Sequence, residues 1–155
     1  MLDNIRIARA FTVDQQFDLN FAIAAMIAED DAPCRLIIVD SVMNLFRTDY
    51  IGRGELAERQ QRLNQYLAQL KNIAEEYNVA VLLTNQVTAN PDSSMFAGDS
   101  KKPIGGHVLA HASTTRLYLR KGKAEQRIAK LYDSPSLPEA EATFALAVGG
   151  VVEAD

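Results

Sequence analysis

Four apolar residues, Leu36, Ile37, Ile38 and Val39, run directly into Asp40. A carboxylate leaving a buried strand in this way is the Walker B pattern, which holds the water shell of a nucleotide-bound magnesium ion. The same string arises when an aspartate merely caps the next helix, and Ser41 beside it suits that role. The usual partner of a Walker B carboxylate is G-x-x-x-x-G-K-[ST], whose backbone amides wrap the phosphates. That motif is absent: the Gly122–Lys123 pair is followed by Ala124, and residues 1–35 contain no glycine. The residues alone leave two readings open: the chain is the rear part of a nucleotide-binding domain, or Asp40 is structural.

Other candidates for chemistry are weaker. His107 and His111 stand four apart, which on a helix puts both imidazoles on one face as in metal sites. No nearby acid or thiol offers a third ligand, so a polar contact or a phosphate-sensing role fits better than zinc. Cys34 has no evident base beside it and reads as a small buried hydrophobe. No G-x-S-x-G elbow occurs, which leaves a serine hydrolase unsupported.

Two loops combine the residue types that grip nucleic acid. Arg47 to Gly54 carries two arginines, Tyr50 and two glycines; the longer stretch from Asn85 to Gly106 offers Met95, Phe96, Lys101, Lys102, Gly105 and Gly106. Guanidinium groups and amides hold phosphates while apolar side chains wedge or stack against bases. The alternative is a pair of mobile solvent loops.

Charge is segregated along the chain. Residues 101–130 hold eight basic groups against Glu125 alone, a local +7, whereas the remaining residues carry −11. Such a split is the footprint expected when one face meets a polyanion. A lysine-rich strand pair protecting a sheet edge would look the same.

The elements that must position these groups follow from periodicity. Ile5 and Ile7 alternate as a short strand, and Thr12 with Gln15 opens a helix running to about Ala28. After a break at Asp30 to Pro33, Leu36–Val39 is a continuous β-rich run, apolar on both faces like a central parallel strand. Leu56, Leu63, Tyr66, Leu67, Leu70, Ile73, Ala74 and Tyr77 recur at helical spacing, Asn78 closes that helix, and Val79 to Thr84 is a second apolar strand. In open parallel sheets ligands sit at the carboxyl ends of the strands, so Asp40 and the Thr84, Asn85, Gln86 group are the first places to look. From Asn85 to Gly106 periodicity disappears. Beyond it, Thr114–Leu119, Gln126–Tyr132 and Thr143–Ala147 read as alternating antiparallel strands.

The whole is one α/β domain of 155 residues, 48% hydrophobic and 23% charged, which excludes disorder. No run reaches about 18 apolar residues, and no basic leader opens the chain, so it is expected to be neither exported nor inserted in a membrane. One cysteine suits a reducing compartment, cytoplasm or nucleus.

The runs IIVDS, FRTDYIGRGELAERQQRL, TNQVTANPDSSMFAGDSKKPIGGHVLAHASTTRLYLRKG and IAKLYDSPSLPEAEATFA resemble the RecA-fold DNA strand-exchange recombinases of eukaryotes and archaea. The resemblance covers essentially the whole chain. GELAERQQ, NQVTANP and GGHVLAHA lean toward the meiotic paralogue, while RTDY and RLYLRKG lean toward the mitotic one; the meiotic class is favoured. The implied fold is a RecA-like P-loop NTPase core with a mainly parallel central sheet and antiparallel strands at its C-terminal end. It is incomplete, lacking the Walker A segment, so residues 1–155 form a single domain that is the C-terminal part of that core.

The resemblance also assigns roles. Asp40 becomes the Walker B carboxylate, holding magnesium through water, with Ser41 beside it at the nucleotide; Gln86 couples nucleotide state to the adjoining DNA loop. Arg47, Tyr50, Arg53 and Gly54 fall in the first DNA-binding loop, Arg53 matching a side chain that inserts between base triplets. Val87, Pro91, Met95, Phe96, Lys101, Lys102, Gly105, Gly106 and His107 fall in or beside the second loop, with Pro91 at the other inserted position. Arg59 matches a phosphate contact. Across a filament interface His111 lies near the neighbour's γ-phosphate, and Asp133, Ser134, Pro135, Pro138 and Glu139 cap its adenine.

The implied activity is homologous recombination in the nucleus. It comprises ATP- and Mg2+-dependent binding of single-stranded DNA, assembly into a helical filament or ring, pairing with double-stranded DNA, and strand exchange alongside accessory proteins. The alternative is a non-catalytic truncated module that binds DNA or full-length recombinase filaments. Because no phosphate loop is present, this chain alone is expected to be inactive as an ATPase and to leave strand edges and apolar surface exposed. Ser100 replaces a usual proline, and Ala124 a common glycine.

Overall fold

The computed structural model describes residues 4–30, 32–52, 54–89 and 101–154. The chain divides after Ala112 into two compact units.

The first unit begins with α1, Val13–Glu29. Thr12, extended at φ −135, caps it, its hydroxyl accepting from the Gln15 amide at 3.2 Å. Gln15 reaches back to the Phe11 amide at 2.9 Å, so two of the donors at this helix start are satisfied by side chains. The strand expected at Ile5–Ile7 does not form, and Ile7 is 90% exposed. Alternation creates a strand only where a neighbour completes the ladder, and the described residues offer none there.

Strand β1, Leu36–Val39, pairs in parallel with β2, Ala80–Leu83, in the register Leu36 to Ala80 through Val39 to Leu83. Between them lie α2, Asn44–Thr48, and α3, Leu56–Tyr77. The short α2 takes the first residues of what reads in sequence as a loop. Its anchors are Met43 and Phe46, which have almost no exposed surface. Helix α3 buries Leu63, Tyr66, Leu67, Leu70 and Ile73 along one stripe and ends at Asn78, whose φ of 52 is the left-handed conformation that asparagine tolerates. Leu56, included in the expected stripe, lies outside it and is 54% exposed.

The core forms where this stripe meets Val13 and Phe17 of α1 and Ile37 of β1, with Val39, Val81 and Leu83 packed against it. Phe17 meets Tyr66 edge-on with ring centroids 5.5 Å apart. Polar links join the helices at Asn20, which donates to Gln69 at 3.2 Å, and between Gln16 and the Tyr66 hydroxyl. The opposite face of the strand pair, Leu36, Ile38 and Leu82, is half exposed.

The stretch from Asn85 to Gly106 contains structure that its sequence hides. Strands β3, Val87–Ala89, and β4, Lys101–Pro103, pair antiparallel, and α4, Gly106–Ala112, follows directly. A three-residue strand reading Lys-Lys-Pro buries nothing, so it leaves no periodic trace.

The second unit is a four-stranded antiparallel meander. Its strands are β5, Arg116–Lys121, β6, Gln126–Asp133, β7, Glu141–Ala147, and β8, Gly150–Glu153. The expected parallel pair and late antiparallel strands are both present. The last strand goes beyond what the sequence pattern announces; it returns through Gly150 at φ +119. No helix among the described residues is long and apolar enough to cross a membrane.

Candidate functional site

Asp40 and Thr84 are the first residues beyond the carboxyl ends of the two parallel strands. The Thr84 hydroxyl donates to Asp40 Oδ1 at 2.6 Å, which orients the exposed carboxylate. The backbone reinforces this, with Thr84 N bonded to Val39 O and Val42 N to Thr84 O, both at 3.1 Å. The Asp40–Ser41 peptide is cis. Ser41 Oγ is buried without a hydrogen-bond partner among the described residues, a polar atom whose satisfaction requires a further group. A hard carboxylate oxygen donor beside an unsatisfied hydroxyl fits a hydrated magnesium ion.

Two residues further on, Gln86 is tied to two other segments and to its neighbour Asn85. Its backbone oxygen accepts from Ile104 N at 3.0 Å. Its amide donates to Asn85 Oδ1 at 2.8 Å, while Asn85 Nδ2 donates to Ile104 O at 2.7 Å. Its side-chain oxygen accepts from an Arg47 guanidinium nitrogen at 2.7 Å. Thus the residue assigned to nucleotide coupling touches the start of the first loop and closes the base of the hairpin carrying the second. Thr84 and Asn85, though not assigned roles in sequence, build this junction. The signal available for them is their position at a strand's carboxyl end.

The first loop is more built than its composition suggests. Arg47 lies in the last turn of α2 and is exposed. Tyr50 is half-buried against the core, its hydroxyl coupled to Arg62, whose guanidinium stacks over Phe17 at 4.5 Å and pairs with Asp14. Glu55 folds back so that its carboxylate accepts from the Gly52 amide at 2.7 Å while its own amide donates to Gly52 O at 3.1 Å. Gly54 is exposed; Arg59 is half-buried with its Nε unpaired among the described residues. Asp49 leaves the loop to accept from Val13 N at 2.8 Å, fastening it to the start of α1.

In the hairpin stem Val87 pairs with Pro103 and Lys102 lies opposite Thr88, with both lysines of β4 exposed. Gly105 is buried at φ +104, and a Cβ there would stand 3.0 Å from Leu109 Cβ; its identity is set by this turn. Gly106, at φ +61, has open space around it. His107 and His111 stack on α4 with centroids 6.3 Å apart, facing Gln60, Asn64 and Lys71 of α3 across a groove of 590 Å³. Among the described residues no group of three or more potential metal ligands occurs. Arg53, Pro91, Met95 and Phe96 lie outside the described residues.

In the second unit the Asp133–Glu139 segment is held at both ends by cations. Asp133 accepts from Arg116 at 2.9 Å, with that guanidinium over the Tyr132 ring, and Glu139 pairs with Lys130 at 3.0 Å, raising the Lys130 ammonium above its ordinary value. Ser134 Oγ accepts from the Leu137 and Ser136 amides at 3.2 and 3.4 Å, which rounds the turn containing Pro135; Pro138 is exposed. Arg120 pairs with Glu141 at 3.0 Å. Three of the eight cations behind the local +7 therefore pair with Asp133, Glu139 and Glu141, and extending the window to Glu141 leaves +4. Much of the apparent basic tract is sheet pairing. Arg47 at the end of α2 and Lys101 and Lys102 in β4 are exposed cations beside the two loops.

The family model Rad51 matches residues 1–154. The chain is 60% identical over 154 residues to a meiotic recombination protein DMC1 homolog of Lilium longiflorum, covering 99% of this chain and 44% of that protein. It is 58% identical over 155 residues to the human meiotic recombination protein DMC1/LIM15 homolog, covering 99% and 46% respectively. A rice homolog, DMC1 B, is 59% identical over 154 residues. The chain spans about half the length of the curated relatives it matches.

Proposed function

The chain belongs to the Rad51 family, and from that premise we propose that it supplies the DNA-contacting part of an ATP-dependent recombinase for meiotic homologous pairing and strand exchange. The observation that carries this is the junction at Gln86, where the bases of both loops meet two residues from the Asp40–Thr84 pair. Asp40, oriented by the Thr84 hydroxyl, would hold the water shell of magnesium, with Ser41 beside it at the nucleotide. Bound ATP supplies the energy for assembly and turnover of the filament. Arg47, Arg59, Lys101 and Lys102 hold phosphates of single-stranded and then double-stranded DNA, a contact independent of sequence. His111, exposed in the groove between α3 and α4, would lie near the next subunit's γ-phosphate, and the Asp133–Glu139 turn would cap its adenine.

The partners of this reading are DNA, further copies of the protein in a filament or ring, and recombination accessory proteins in the nucleus. DNA-dependent ATP turnover belongs to the full-length protein. This chain, which contains no phosphate-loop motif, binds without turning over ATP.

Fluorescence anisotropy with labelled single-stranded DNA tests the reading. Replacing Arg53 and Lys102 together by alanine is expected to weaken binding and flatten its dependence on the logarithm of salt by about 0.7 for each phosphate no longer held. Unchanged affinity and slope would remove the loop assignment. Phosphate release stimulated by DNA from this chain alone would contradict the division of labour.

A further inference from the structure

We infer that Gln86 competes with DNA phosphate for the Arg47 guanidinium, so that the hairpin base carrying the second loop withholds or releases a cation of the first. The inference rests on the reading that Arg47 faces DNA. Both side chains are exposed, and their 2.7 Å contact is open to an incoming anion. The acceptor is a neutral carboxamide oxygen, whereas a phosphate oxygen forms a charge-assisted and often bidentate bond to arginine, roughly twice as strong. The exchange therefore runs toward phosphate when DNA arrives, and back when it leaves.

The Gln86 backbone is fixed at both ends, its oxygen on Ile104 and its amide on Asn85, so its side-chain oxygen moves with the β3–β4 stem. Arg47, at the end of α2, is fixed by the buried Phe46 next to it. A shift of the stem relative to α2 breaks or makes this single contact. That gives the two loops a direct mechanical link through residues 39 positions apart. An amide suits the position: a carboxylate would hold Arg47 with a full charge, and an aliphatic side chain would not hold it at all.

The test is the affinity and salt slope of this chain for fluorescein-labelled oligodeoxythymidylate, with Gln86→Glu and Gln86→Leu made in the native chain and again with Arg47→Ala. Glu is expected to weaken binding about tenfold and flatten the salt slope by about 0.7, as when one phosphate loses its cation, while Leu tightens binding. With Arg47→Ala the two Gln86 variants converge. A Glu-to-Leu difference that persists without Arg47 would be plain charge repulsion and would overturn the inference. Equal binding by the two variants, with Arg47→Ala still weakening it, overturns the inference and leaves the DNA-binding reading intact. An Arg47→Ala chain that binds like the native one overturns both.

Discussion

The hydroxyl of Thr84 donates a 2.6 Å hydrogen bond to Asp40 across 44 positions of sequence, joining the first residues beyond two parallel strands. Both groups are exposed, so the bond orients a carboxylate more than it supports the fold. Thr84→Val, which keeps the shape and removes the donor, is expected to lower stability in urea by less than about 1 kcal/mol. On the proposed role of Asp40 in holding magnesium, the same change in the full-length protein is expected to lower nucleotide turnover about 10- to 100-fold, as removal of an outer partner does at metal-bound ligands. A loss of stability above about 2 kcal/mol, or unchanged turnover, would contradict this role.

Gly105 and Gly106 are neighbours with different reasons for being glycine. At Gly105 both the φ of +104 and the 3.0 Å approach to Leu109 Cβ oppose a side chain, whereas Gly106, at φ +61, meets nothing within 4 Å. Gly105→Ala is expected to cost about 2–4 kcal/mol, combining backbone strain and overpacking. Gly106→Ala should cost about 1 kcal/mol from the left-handed backbone alone. Denaturant midpoints of the two variants compare them directly, and equal losses would show that packing against α4 plays no part.

Ala124 has φ +47 in the turn between β5 and β6, a conformation that costs a residue with a Cβ about 1 kcal/mol. Ala124→Gly removes that strain at some cost in unfolded-chain entropy. The net expectation is a gain of roughly 0.5 kcal/mol, read as a higher melting temperature. A lower melting temperature would mean that the alanine methyl makes a compensating contact.

Burial pushes the Tyr66 phenol above its ordinary value of 10.0; the residue is only 2% exposed. The folded chain thus keeps this proton where the unfolded chain has lost it. The contribution is fully present below about pH 10 and is lost as pH rises from there through the higher folded value. Tyr66→Phe should therefore flatten the alkaline decline of stability while changing neutral-pH stability by no more than about 1.5 kcal/mol. Unfolding curves at neutral pH and above about pH 10 decide it, and an unaltered decline in the variant would refute the assignment.

The sequence by itself determined the elements whose burial is periodic. Leu63 to Ile73 announce α3 because one face of a helix must be apolar to pack, and the apolar runs at Leu36 and Val81 announce β1 and β2 for the same reason. Thr12, Gln15 and Asn78 mark helix ends through hydrogen bonding and backbone conformation that are local. The position of Asp40 at a strand's carboxyl end was equally legible.

Only the tertiary structure decided which groups meet. Ile5 and Ile7 carry a strand pattern without a ladder partner among the described residues, while Lys101–Pro103 form a strand with no pattern at all, because pairing is a backbone relation between distant segments. The charge run from Arg116 reads as a free basic tract until β6, β7 and the turn between them bring Asp133, Glu141 and Glu139 against it. The contact between Arg47 and Gln86 has no local signature either: neither residue is buried, and 39 positions separate them. Periodicity reports how deeply a residue is buried; it carries no record of the partner across the chain, and the site is made of such partners.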